Sequence, residues 1–229
     1  MACTASIGLI GPAPCRAGVI DQNNPIASPG NADSFDPFQE LGQTFTVGIT
    51  GQLASIDVMM FRHASLTQPT LDAVLTLYDA SGDLPTATVL GSASVAAADV
   101  PSIQPSQLMD FVSFDLTALN INVTAGQTLA WGLVSGTVSG DLSPTPDAGS
   151  YFVGANVGSD ATYAGGRALL RFFSSFPTPS WGAWAPPFVS LDEDYAFRTV
   201  MVGGQIPTPG PIALFAISCA TLHRRRRAL

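Results

Sequence analysis

Leu71-Asp72-Ala73-Val74-Leu75-Thr76-Leu77-Tyr78 decides the fold. Side chains alternate across an extended strand, so Leu71, Ala73, Leu75 and Leu77 share one face and Asp72, Val74, Thr76 and Tyr78 the other. Ser81-Gly82-Asp83 then supplies turn chemistry, and 89–95 reads as the returning strand. The same rhythm runs outward in both directions. Upstream, Phe45, Val47 and Ile49 align within 43–49, and Ile56, Val58 and Met60 repeat the pattern. Downstream, Val112, Phe114 and Leu116 share a face in 109–116. A turn at Thr124-Ala125-Gly126 leads into 127–134, where Leu129, Trp131 and Leu133 align. Residues 151–153, 167–173 and 195–202 complete about nine strands. The one helix-like stretch, 93–100, carries too little apolar face to matter. Short strands separated by Gly, Pro and Asx turns predict an all-β fold: an antiparallel two-sheet sandwich, jelly-roll-like, followed by a short C-terminal hydrophobic helix. No internal repeat points to a solenoid or propeller.

The chain has 229 residues and is 46% hydrophobic, enough for one good core. Acids outnumber bases, 17 to 9, and every base is an arginine. Four of the nine arginines are the block Arg224, Arg225, Arg226 and Arg227, which leaves the body strongly acidic, at about −12. No basic stripe is present to neutralise phosphates, which argues against nucleic acid as a partner. The cysteines, Cys3, Cys15 and Cys219, all lie in the end segments, so the body offers no disulfide framework and no cysteine nucleophile. Residues 1–17 read as a truncated signal peptide: 5–10 is apolar, and Cys15-Arg16-Ala17 precedes Gly18 as a small-residue cleavage site would. Residues 18–37 read as a polar lead-in, 38–202 as the β-sandwich domain, and 203–229 as linker and anchor.

The tail has three parts. Ile206-Pro207-Thr208-Pro209-Gly210 forms an elbow, an uncharged run extends from Ile212 to Leu222, and the arginine block closes it. At 1.5 Å per residue the run covers roughly half of a ~30 Å hydrocarbon core, and adjacent arginines stop transfer. This order of parts resembles the PEP-CTERM sorting signal of bacterial exported proteins, with Pro207-Thr208-Pro209 standing where Pro-Glu-Pro is usual. The resemblance covers about a tenth of the chain. It implies transient membrane insertion through this segment and recognition by an exosortase-type sorting enzyme near Pro207, Thr208, Pro209 and Gly210. It also implies residence at the cell envelope or extracellular surface, near exopolysaccharide. The body is similar to the single sandwich domain of many such proteins, through Leu75-Thr76-Leu77-Tyr78-Asp79, 111–116 and 194–199.

Catalytic signals are sparse. His63 is the one histidine outside the anchor, no Gly-x-Ser-x-Gly elbow is present, and a zinc site lacks ligands. The expectation is therefore a non-enzymatic protein with a structural or adhesive role. Two alternatives carry named residues. Trp181 and Trp184 lie in a Pro-rich loop between two late strands, and with Tyr163 they could form a carbohydrate-binding platform, since sugar C–H faces pack on aromatic rings. Asp192-Glu193-Asp194 is the densest acidic cluster. It reads as a solvated turn, as a calcium ligand set drawn from loop oxygens, or as the carboxylates of an acidic-residue hydrolase.

Overall fold

The computed structural model describes residues 18–28, 30–104, 107–136, 143–175, 180–187 and 192–203. The predicted signal peptide, the Pro207–Gly210 motif, the hydrophobic helix and the arginine block lie outside the described residues.

The strands are β1 (Val19–Asn24), β2 (Ala32–Phe35), β3 (Gln39–Thr46), β4 (Gly51–His63), β5 (Ala73–Ser81), β6 (Leu84–Val95), β7 (Ser102–Ile103), β8 (Phe111–Asp115) and β9 (Asn122–Val123). They continue with β10 (Thr128–Ser135), β11 (Tyr151–Val157), β12 (Ala168–Ser174), β13 (Ser180–Trp181), β14 (Glu193–Tyr195) and β15 (Phe197–Met201). They form two sheets, as the alternation predicts. The six-stranded sheet runs β13-β12-β3-β10-β5-β6. The nine-stranded sheet runs β1-β15-β4-β11-β14, with β2 beside β11 and β7, β8 and β9 beside β4. Pairing is antiparallel except for the two-residue contact of β7 with β4. The helix-like stretch 93–100 resolves into the end of β6 and one 3-10 turn, Ala97–Asp99.

The 13-residue β4 is the spine of its sheet. It holds β15 over 53–58 and β11 over 60–62, and also pairs with β8 over 55–59. Its alternation explains both of its faces. Ile56, Val58 and Met60 enter the main core, where they join Leu75, Leu77, Leu129, Trp131, Leu133 and Phe197. Met59 and Phe61 point the other way, into a second cluster with Met109 and Ala196. The predicted turn after 81 is a tight hairpin: Ser81 pairs with Leu84, and Gly82 adopts φ +60°, which glycine takes without steric cost.

The stretch 18–37 is not a detached lead-in, because β1 and β2 are built into the larger sheet. Their sequences, VIDQNN and ADSF, carry little apolar signal. Polar side chains hold them instead. The Thr199 hydroxyl accepts the Gln22 N–H at 3.0 Å, and the Asn24 amide donates to the Tyr195 carbonyl at 2.8 Å. Behind β1, the Asn156 side chain accepts the Ala27 N–H at 2.7 Å. Buried polar groups with partners cost little, so a polar strand is stable here.

Candidate functional site

On β3, Leu41, Gln43 and Phe45 face the interior, whereas Glu40, Gly42 and Thr44 face outward. The outward set should be solvated, yet Glu40 is fully buried. Trp184 is the reason in part. Its six-membered ring lies over Gly42 and Gly132, adjacent partners on β3 and β10. A Cβ on Gly132 would come within 2.3 Å of Glu40 Oε1 and 3.1 Å of Trp184. Both glycines therefore give a trough that accepts the indole. Tyr78 meets the same ring edge-on, with centroids 6.2 Å apart.

Arg171 on β12 completes this assembly. Its Nη2 lies 2.7 Å from Glu40 Oε2, and its Nε donates to the same oxygen at 2.7 Å. Its guanidinium carbon stands 4.5 Å from the Trp184 ring centre and 5.1 Å from that of Trp181. One cation is thus shared by two indoles and one buried carboxylate. Such cation–π contacts contribute roughly 0.5–2 kcal/mol each, depending on desolvation. Trp181 sits on β13 and meets Phe173 at 5.5 Å. Both tryptophans are half-buried.

The loop 182–187 also walls a cleft of about 550 Å³. Its other walls come from β2, β3, β11 and β12, including Asp33, Gln39, Phe152, Arg171 and Phe172. Phe172 is 55% exposed. Asp33 and Arg171 are the charged side chains among its described lining residues.

Tyr163 does not join the tryptophans. Its ring packs edge-on against Phe197, with centroids 5.3 Å apart, and its hydroxyl donates to Gln22 at 3.0 Å. Burial raises its phenol well above the ordinary value. The sequence grouped it with Trp181 and Trp184, but the turn that follows it packs against β3, where a Cβ on Gly166 would meet the Thr44 backbone at 2.0 Å.

Asp192-Glu193-Asp194 is not a solvated turn. Glu193 and Asp194 lie in β14 and are 6% and 5% exposed. Successive residues of a strand point to opposite faces, so the three carboxylates do not converge. Among the described residues no group of three or more His, Cys, Asp or Glu is arranged to hold a metal. Asp194 accepts from the Gln43 amide at 3.3 Å and from the Tyr163 N–H at 3.0 Å. Burial, ahead of every other cause, raises the Asp194 carboxyl above its ordinary value.

Glu193 takes the other face. On β11, Val157 pairs with Glu193, Ala155 with Tyr195 and Val153 with Asp33, and all three β11 side chains belong to the core or pack against it. Glu193, Tyr195 and Asp33 therefore project inward, from strands on either side of β11. The small Ala155 leaves room for the Tyr195 hydroxyl to donate to Asp33 Oδ2 at 3.0 Å. Burial first, then the Asp33 carboxyl, push Glu193 up to about 8. Sequence reasoning missed Asp33 and Tyr195 as its partners. The available signal was alternation through Glu193, Tyr195 and Phe197, which places a glutamate in line with two core aromatics.

His63 ends β4, where its Nδ1 accepts the Ser65 N–H and its ring leans on Phe152. No family model matches this chain, and a search of curated proteins finds no match.

Proposed function

We propose that this chain is an exported, non-enzymatic β-sandwich of the cell surface or extracellular matrix, with a structural or adhesive role exercised by binding polysaccharide. The observation that carries the binding reading is the Trp181–Arg171–Trp184 stack beside an open, mostly apolar cleft. Aromatic faces accept sugar C–H faces, and Arg171 fixes the indoles in place before a ligand arrives, which lowers the ordering cost of binding. The acidic body favours neutral glycans over anionic ones. Export is supported by the Pro207–Gly210 elbow, the apolar run and the arginine block. Glu193 and Asp194 are buried on opposite faces of β14 and do not offer themselves as a hydrolytic pair.

The test is a panel of neutral and anionic glycans presented to the full-length protein. Binding to a neutral glycan is expected, with Trp181→Ala or Phe172→Ala weakening it by about tenfold, equivalent to ~1.4 kcal/mol. An unchanged melting temperature in those variants would exclude misfolding as the cause. No binding to any member of the panel, or binding indifferent to both substitutions, rejects this reading of the cleft.

A further inference from the structure

Glu193 has less than one-tenth of its surface exposed, and neither of its carboxyl oxygens has a hydrogen-bond partner among the N–H and O–H donors described. Across β11 the strand pairing turns Asp33 to the same inward face, with Tyr195 bonded to it between them, and the Asp33 carboxyl acts to raise Glu193. Two carboxylates only accept, so a bond between them requires a proton on one. The hydroxyl of Tyr195 cannot supply it while it is donated to Asp33 Oδ2. The surroundings bring no compensating cation among the described residues: the charged groups bearing on Glu193 are Asp33 from β2 and Asp194 from its own strand. From β11 the neighbours are Val153, Ala155 and Val157. From β3 comes Gln43, whose carbonyl oxygen accepts the Tyr195 N–H at 2.9 Å and whose amide donates to Asp194. Arg171 shares the cleft with Asp33 but is held by Glu40.

We propose that Glu193 and Asp33 share one buried proton, and that this proton latches β2 to β14 and so holds the cleft in its binding shape. The consequence for binding rests on the polysaccharide reading of the cleft; the proton itself does not. Glu193 is the donor and Asp33 the acceptor, with Tyr195 donating to the second Asp33 oxygen. This order agrees with Glu193 being pushed up to about 8 by burial and by Asp33. Asp33 is the member that reaches the cleft and is only half-buried. β2 is four residues long. Once the proton leaves, two like charges face each other in the interior, and the cheapest relief is for Asp33 and its short strand to swing toward solvent. Cleft binding therefore falls as the solution turns alkaline.

Glu40 and Glu193 are the chain's two glutamates, so labelling the glutamate carboxyl carbons with carbon-13 gives two signals in the full-length protein. One signal should titrate with a midpoint far above the usual glutamate range, near the value given above, and should vanish in Glu193→Gln. Asp33→Asn should lower that midpoint, because a neutral amide no longer repels the charged form. Amide protection at Asp33 and Phe35, whose N–H groups face β11, should fall by about tenfold above the midpoint in the wild type, once the base-catalysed intrinsic rate is divided out, and not in Glu193→Gln. Two signals that are both ionised between about pH 5.5 and pH 9 would overturn the shared proton. An Asp33→Asn midpoint equal to the wild type would overturn Asp33 as the partner, and unaltered protection would overturn the latch. A midpoint pulled down to the ordinary range by added calcium would show that a cation, not a proton, occupies the pair. None of these readouts needs a glycan, so failure of the cleft reading and failure of the latch are separable.

Discussion

Glu40 and Glu193 are both buried, and the molecule treats them in opposite ways. Glu40 lies outside the main core, beneath Trp184, and receives Arg171 on one oxygen and the Tyr78 hydroxyl on the other. Glu193 lies inside, across β11 from Asp33, and receives no donor among the described residues. One carboxylate is stabilised by a partner of opposite charge; the other avoids charge by keeping a proton. Burial alone therefore says little about a carboxylate. What decides is whether the facing strand supplies a donor.

The largest effect expected from breaking this contrast is on the outer face. Arg171→Ala should cost about 3–5 kcal/mol, because it strands Glu40 as an uncompensated buried charge. The joint replacement Arg171→Met with Glu40→Met should cost markedly less, since it removes the charge along with its partner. Denaturant unfolding of the three proteins checks both statements. A double variant no more stable than Arg171→Ala would mean that the pair holds the face together by shape rather than by charge.

Gly132→Ala should come next, at roughly 1–3 kcal/mol, because the added methyl enters the space of Glu40 Oε1 and forces Trp184 off the trough. Tryptophan emission should shift to the red as the indole becomes wetter. An unshifted spectrum with unchanged stability would show that Trp184 does not rest on the trough.

Half of this contrast was legible in the sequence. The alternation at 71–78 and 127–134 placed Leu75, Leu77, Leu129 and Trp131 inside, because in each of those strands the large apolar side chains recur at every second position. Nothing local marked Glu40 as buried: its cover, Trp184, lies 144 positions away and needs Gly42 and Gly132 side by side on different strands. The tryptophans were found by composition, since a Pro-rich loop with two indoles stands out in any chain. Asp192-Glu193-Asp194 was misread as solvated because three adjacent acids look like surface. Only the pairing of β14 with β11 turns one of them inward. The polar strands β1 and β2 were missed for a related reason, as they join β15 and β11 through backbone pairing and side-chain hydrogen bonds rather than an apolar stripe.

The smallest change at neutral pH, and the one that sharpens the comparison most, is Glu193→Gln. The amide has the shape of the protonated acid and can donate to Asp33 at any pH, so the variant should fold with stability within about 1 kcal/mol of the parent near neutrality. The difference lies in the pH dependence. A glutamate raised to about 8 in the folded state holds its proton more tightly there than in the unfolded chain, where its value is ordinary. Its contribution is full below the ordinary glutamate value and is lost as pH climbs toward and through the raised one. Wild-type stability should therefore fall across that window, with the folded protein giving up a proton it would rather keep. Asp194, also raised by burial, adds a slope of the same sign that the substitution leaves in place. The variant should accordingly show a shallower decline, not a flat line, and should become the more stable of the two on the alkaline side. Parallel curves from acid to alkaline pH would mean that Glu193 is charged in the folded state like Glu40, and the contrast between the two glutamates would disappear.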